Sequence, residues 1–349
     1  MDFDLQKLVR KNIIALNPYS SARHEYSGDA SIFLDANENS FGSPLPENFN
    51  RYPDPLQWEL KSALSGIKGV PVENIFIGNG SDEVIDLAYR IFCEPGKDSA
   101  IICPPTYGMY QVSGDINDVE MIKVPLTSAF QPDVDAILNA ANNSAKLLFL
   151  CSPNNPTGNN MEQSSIETLL KNFPGIIIID EAYINFSRQK TFIQELTVHP
   201  NLIVMQTLSK AWGLASLRLG LAFASVNIIN LFNKVKPPYN INKASQELAL
   251  QALKNTRQVN QWIQEIVSQR EYLQKQLAAF KFVEKIFESD ANFLLVKVKD
   301  PDGLYKYLTG NKIIVRNRSR EPMCAGCLRI TIGTPDENQR LLEILKLYQ

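Results

Sequence analysis

The sequence predicts an α/β protein, with a large domain holding a mostly parallel seven-stranded sheet between helices and a smaller α+β domain after it. Three observations predict this. Short apolar, β-branched runs recur with helix-patterned segments between them, the order of a parallel sheet joined by crossovers. One run, Ile176-Ile177-Ile178-Ile179, is apolar at every position, as a strand covered on both faces must be. A length of 349 residues suits two domains.

The elements follow in chain order. Residues 1–44 carry an amphipathic pattern (Phe3, Leu8, Val9, Ile13, Leu16) without a domain-sized core, and are expected to pack on the smaller domain. The large domain is placed at 45–240. Its strands are read at Ile75–Asn79, 100–103, 119–124, 147–151, Ile176–Asp180, 202–206 and Leu219–Ala224, with helices such as Ser81–Phe92 and 164–172 between them. Lys236-Pro237-Pro238-Tyr239 ends the pattern, because Pro continues neither a helix nor a central strand. The small domain, 241–349, opens on one helical stretch of about 244–280 and continues through strand-like segments at Phe293–Val298, 313–316 and 327–332. Thr334-Pro335-Asp336-Glu337 then announces a final helix, with a capping Thr, Pro at the first helical position and Glu three residues after the cap.

Composition removes several classes of function. Lys and Arg number 35 against 37 Asp and Glu, a net charge of -2, so neither nucleic acid nor an anionic membrane is expected as partner. The two histidines, His24 and His199, leave little for a His-rich metal site or a Ser-His-Asp triad. Five cysteines do not form a disulfide framework. Cys324 and Cys327 have C-x-x-C spacing, but no second pair accompanies them, so no metal is expected. The acidic start does not read as a signal peptide, and no apolar run reaches the roughly 18 residues that cross a bilayer. A cytoplasmic location is expected.

Ligands of a parallel α/β sheet bind outside the carboxyl ends of its strands. At those ends the sequence places Gly78-Asn79-Gly80-Ser81-Asp82-Glu83, then Ser152-Pro153-Asn154-Asn155-Pro156-Thr157-Gly158, then Asp180-Glu181-Ala182-Tyr183, then Thr207-Leu208-Ser209-Lys210, with Arg218 beyond. The glycine turn opens a helix whose free N–H groups and dipole suit a phosphate. An Asp that closes four isoleucines either emerges into a solvated loop or, held deep in a site, pairs with a cation such as a protonated pyridine nitrogen. A Lys on a rigid loop near Arg218 has the environment of an amine that bonds a carbonyl. Phosphate cup, pyridine partner and reactive Lys together match pyridoxal 5′-phosphate.

With these motifs stand Asp35-Ala36-Asn37-Glu38-Asn39, Arg51-Tyr52-Pro53-Asp54-Pro55, Cys103-Pro104-Pro105-Thr106-Tyr107-Gly108-Met109-Tyr110, Ser209-Lys210-Ala211-Trp212-Gly213-Leu214-Ala215 and Gly326-Cys327-Leu328-Arg329-Ile330-Thr331. In this order, over nearly the whole chain, the sequence resembles the fold-type I aminotransferases, and within them the histidinol-phosphate aminotransferases. The resemblance implies that Lys210 bonds the cofactor and moves the substrate's proton, and that Asp180 pairs with the pyridine nitrogen. It implies that Asn155 and Tyr183 bind the phenolic oxygen and that Tyr107 stacks on the ring. Gly80, Ser81, Asp82, Thr207, Ser209 and Arg218 would hold the phosphate, joined by Tyr52 from the other chain of a homodimer. Tyr19, Asn37, Arg316 and Arg329 would bind substrate, with Arg318 and Arg320 left on the surface. The implied substrates are histidinol phosphate and glutamate or 2-oxoglutarate; guanidinium forks serve phosphate and carboxylate alike.

Related activities compete with this one: an aromatic-amino-acid aminotransferase or a threonine-phosphate decarboxylase on the same fold. A nicotinamide-dependent dehydrogenase fits less well, because Glu83 stands where a third Gly is needed and Cys103-Pro104-Pro105 where a ribose-binding acid is needed. A non-catalytic binding protein would have no use for Lys210. His199 reads as structural, and His24 has no assigned role.

Overall fold

The computed structural model describes residues 3–19, 31–142 and 144–348. Seven strands, β1 (Ile75–Asn79), β2 (Ser99–Ile102), β3 (Glu120–Lys123), β4 (Ala145–Cys151), β5 (Ile176–Asp180), β6 (Leu202–Thr207) and β7 (Leu219–Ala224), form one sheet in the order β1-β7-β6-β5-β4-β2-β3. Strands β2 to β6 run parallel, and β7 runs antiparallel to both β6 and β1. The strands other than β7 therefore point one way. Their carboxyl ends share an edge, and β7 starts from that same edge.

Both faces of the sheet are covered, so alternate residues enter opposite cores. Ile177 and Ile179 face one core with Leu148, Leu150, Val204 and Leu221, under α3 (Trp58–Lys68), α6 (Val134–Ala140), α7 (Gln163–Asn172) and α9 (Lys243–Leu253). Ile176 and Ile178 face the other with Leu147, Phe149, Ile203 and Ala222, under α4 (Ser81–Phe92), α5 (Met109–Ile116) and α8 (Val226–Val235).

Four expectations are corrected. The short helices α1 (Leu5–Leu8) and α2 (Lys11–Ala15) pack on the large domain rather than the small one: Val9 and Ile13 join the core under α4 and α8, and Arg10 bonds the Arg90 carbonyl and Glu94. The stretch read as one helix from 244 to 280 is two, α9 and α10 (Thr256–Leu277), which meet at Lys254 and Asn255. Ile241, Ala249, Leu253 and Val259 belong to the large core, so that core extends past residue 240 into α10. The strand expected at 313–316 is the two-residue β10 (Arg316–Asn317).

β10 forms a second sheet with β8 (Val283–Ile286), β9 (Phe293–Val298) and β11 (Cys327–Thr331), antiparallel in the order β10-β11-β9-β8. One face, with Leu294, Val296, Leu328 and Ile330, packs on α10, α11 (Pro301–Gly310) and α12 (Pro335–Lys346). The expected capping box of α12 forms between Thr334 and Glu337. Alternation turns Phe293, Leu295, Cys327 and Arg329 to the opposite face. Phe293 there meets Tyr183 and Ala211 of the large domain. Arg270 of α10 adds a tie, donating to the Ala291 and Phe186 carbonyls.

Candidate active site

The edge at which the parallel strands end carries a cleft lined by Ser81, Asp82, Tyr107, Cys151, Asn155, Asp180, Ala182, Tyr183, Thr207, Ser209, Lys210, Ala215 and Arg218. Ten of the residues expected to hold cofactor lie here, brought from five strand ends and the start of β7. Gly80, the eleventh expected on this chain, forms the turn beneath them.

Asp180 is the last residue of β5 and is buried. Its carboxylate accepts hydrogen bonds from the Tyr110 hydroxyl at 2.6 Å and the Ala182 amide at 3.0 Å. Burial penalises the charged form and pushes its pKa up to about 6, against these two donors and the nearby Lys210 charge. Tyr110 is itself buried, stacked on Phe149 and edge-on to Tyr107. Tyr110 stands in the Cys103–Tyr110 motif, where the sequence alone assigns it no role.

Lys210 sits in the loop after β6, its Nζ 5.8 Å from the centre of the Tyr183 ring. It opens to the cleft, yet partial burial lowers its pKa, and the Arg329 and Arg218 charges act in the same sense. An amine so placed releases its proton more readily than a solvated Lys.

The anion cup is built by close backbone approach. Gly80 has φ +78, and a Cβ there would stand 2.5 Å from Arg218 Nη2. A Cβ on Gly220 would stand 2.3 Å from Gly80 C and Ser81 N. Only two glycines let the turn sit against β7. Gly80, not Ser81, caps α4, and no side chain bonds its first amides as a cap. Arg218, in the left-handed conformation at φ +54, precedes β7. Its carbonyl accepts from the Gly80 amide, and its Nη2 meets Asp82 at 3.2 Å. Tyr107 Oη donates to the same Asp82 carboxylate at 3.1 Å. Thr207 Oγ1 accepts the Ser209 amide, which ties the loop that carries Lys210 to the end of β6.

The far wall comes from the small domain. Arg329 Nη1 donates to Asn155 Oδ1 at 2.5 Å, with its guanidinium 5.2 Å from the Phe293 ring centre. Burial lowers its pKa, aided by the charges of Arg318 and Arg316. Arg316 is exposed but lies opposite Arg329 in the β10–β11 ladder.

Other expected residues lie elsewhere in the single chain. Tyr19 is exposed, and His24 lies outside the described residues. Tyr52 and Asn37 line a second depression with Phe49, Arg51, Tyr239 and Lys243. Tyr52 stacks on Tyr239 at 4.4 Å, and Glu38 fastens this region by accepting from the Tyr52 amide and from Arg51. Cys324 and Cys327 are buried thiols packed with Leu295 and Phe287. His199 is buried between α7 and β6.

The arrangement suits a flat ligand with a cationic ring nitrogen at Asp180, an anionic tail at the Gly80 turn and an electrophilic carbon near Lys210. Comparison with known proteins points the same way. Residues 32–345 match the family described as aminotransferase class I and II. A histidinol-phosphate aminotransferase of Cytophaga hutchinsonii is 52% identical over 348 residues, covering 100% of both chains. One of Parabacteroides distasonis is 53% identical over 343 residues, covering 98% of each. Among solved structures, a histidinol-phosphate aminotransferase of Sinorhizobium meliloti in complex with pyridoxal-5′-phosphate superposes with a TM-score of 0.77. It is 23% identical, over 89% of this chain and 90% of that one, and supports the fold.

Proposed function

The chain belongs to the class I and II aminotransferase family, and from that premise we propose that it transfers an amino group between L-histidinol phosphate and 2-oxoglutarate. The products are imidazole acetol phosphate and glutamate, in the making of histidine. The family, the two relatives at about half identity and the chemistry of the cleft support this reading.

Pyridoxal 5′-phosphate fits the residues present. Asp180 is a buried carboxylate without an ion pair among the described residues, which the protonated pyridine nitrogen would supply. At the Gly80–Arg218 turn no side chain caps the first amides of α4, and the Arg218 guanidinium packs against Gly80, so the free helix N-terminus and a cation suit the cofactor's phosphate. When bound, the cofactor supplies a carbon that takes up the amino group and a ring that accepts the electrons of the substrate's Cα–H bond.

The chain's own residues do the rest. Lys210 would hold the cofactor through Nζ and, once freed by the substrate's amine, would serve as the base that carries the proton of the substrate's Cα–H bond. Burial and the Arg329 and Arg218 charges lower its pKa, which makes the neutral amine easier to reach than in a solvated Lys. Asp180 would keep the ring nitrogen protonated, and the Tyr110 hydroxyl, donating to the Asp180 carboxylate, holds it in place and favours its ionised form. Asn155 and Tyr183 would hydrogen-bond the ring's oxygen, and Tyr107 would stack on the ring. Arg329 and Arg316, with Tyr19, bind the anionic end of whichever substrate is present. Tyr52 would complete the phosphate cup of the partner chain, and Asn37, in the same depression, would border that chain's substrate, so we propose a homodimer as the active unit. No helix among the described residues is long and apolar enough to cross a membrane. We place the enzyme in the cytoplasm.

One observation carries the proposal: buried Asp180, Lys210 and the Gly80–Arg218 cup converge in a single cleft. The test is spectroscopic. Purified protein supplied with pyridoxal 5′-phosphate is expected to be yellow, to bleach with borohydride and to carry the label on Lys210. A label elsewhere, or full turnover by Lys210→Ala, defeats the mechanism.

A further inference from the structure

The turn between β10 and β11 brings a third guanidinium to the cleft side of the small sheet. Arg316 lies opposite Arg329 and Asn317 opposite Leu328. The ladder runs one residue further, because the Arg318 amide donates to the Cys327 carbonyl at 2.9 Å. Alternation along paired strands puts Arg316, Arg318, Cys327 and Arg329 on one face, while Leu328 and Ile330 enter the small core. From that face Arg329 reaches Asn155 in the cleft.

Arg318 is not the solvated residue expected from its basic loop. Its side chain is 20% exposed, and its Nε is buried without a hydrogen-bond partner. Nη1 meets Glu321 at 3.2 Å. Of the basic neighbours that depress the pKa of Arg329, Arg318 acts more strongly than Arg316. Three guanidiniums and one carboxylate thus share this wall. That surplus exceeds what a monoanionic carboxylate calls for and suits a phosphate monoester, whose charge at neutral pH is about -1.5 to -2.

We infer that Arg318 is a specificity-determining residue that joins Arg316 and Arg329 around the substrate's phosphate group, with Glu321 as the counter-charge that holds its guanidinium ready. This role rests on histidinol phosphate being the substrate. Glu321 competes with the incoming anion for Nη1, so its removal should favour phosphate.

The test compares Arg318→Gln, Arg318→Lys and Glu321→Gln in the cofactor-loaded enzyme. Arg318→Gln is expected to raise KM for histidinol phosphate about tenfold relative to KM for glutamate, the scale of one hydrogen bond to a charged group, with the loss in KM rather than kcat. Arg318→Lys should recover part of that loss, and Glu321→Gln should lower KM for histidinol phosphate. Inorganic phosphate, used as an inhibitor of the glutamate half-reaction, should inhibit Arg318→Gln several-fold less than wild type. Equal phosphate inhibition of the two proteins, or equal rises in KM for both substrates, overturns the role of Arg318. If wild type converts glutamate but not histidinol phosphate, the assigned substrate fails, and phosphate inhibition still decides whether Arg318 binds the anion.

Discussion

Replacing Asp180 by Asn should stabilise the cofactor-free protein while weakening its hold on the cofactor. Burial moves the Asp180 pKa from 3.8 to about 6, which corresponds to about 3 kcal/mol between the two protonation states. The folded-state pKa is the higher one, so folding is penalised wherever the unfolded chain would be ionised. The cost is absent below about pH 4, grows as pH rises between 4 and 6, and is complete above that. Asn cannot ionise and escapes it. Asn offers one acceptor oxygen to the two donors, Tyr110 Oη and the Ala182 amide, so about 1 kcal/mol of hydrogen bonding is lost. The net gain near pH 8 is about 2 kcal/mol, or about 3 °C in thermal midpoint for a chain of this length. At pH 4.5 the penalty has shrunk to about 1 kcal/mol and the advantage closes. Thermal unfolding of both cofactor-free proteins at the two pH values reads this directly. Added pyridoxal 5′-phosphate should reverse the order, raising the wild-type midpoint more than that of Asp180→Asn. A difference independent of pH, or a variant less stable at pH 8, would refute the claim that a strained buried carboxylate awaits a cation.

Other substitutions probe the parts separately. Tyr110→Phe removes a donor that favours the ionised carboxylate, so the Asp180 pKa should rise above about 6 and the visible spectrum of the loaded enzyme should titrate at higher pH than in wild type. Gly220→Ala sets a Cβ 2.3 Å from the backbone at Gly80 and Ser81. It should weaken cofactor binding at least tenfold and lower the thermal midpoint, as equilibrium dialysis and calorimetry would show. Neither Tyr52→Phe, with its cup impaired, nor the inactive Lys210→Ala should match wild type alone. Mixed dimers of the two should regain activity if Tyr52 serves the partner's site, and no regain places Tyr52 outside it.

Much of the large domain was legible because its signals are local. Four consecutive isoleucines state a doubly covered strand, and Ser81–Phe92 shows its amphipathic period openly. The site was legible where a strand end fixed it: Asp180, Thr207 and the Gly80 turn stand where the sheet edge puts them. What stayed hidden depends on packing between distant segments. The placement of Val9 and Ile13 against the large core is not encoded in their own amphipathic pattern, which fits either domain. The break at Lys254 and Asn255 carries no Pro or Gly to announce it. Tyr110 gains its meaning from Asp180, 70 residues away in sequence. Arg318 looked like part of an exposed basic loop until strand pairing set it beside Arg329.

The central claim is that this cleft exchanges an amino group with histidinol phosphate. The most direct measurement is the half-reaction: cofactor-loaded protein mixed with histidinol phosphate alone, followed by absorbance and by product analysis. The account predicts loss of the yellow form with one equivalent of imidazole acetol phosphate released per site, and recovery of the yellow form on adding 2-oxoglutarate. An unchanged spectrum with histidinol phosphate, alongside conversion by phenylalanine or carbon dioxide release from threonine phosphate, would contradict it.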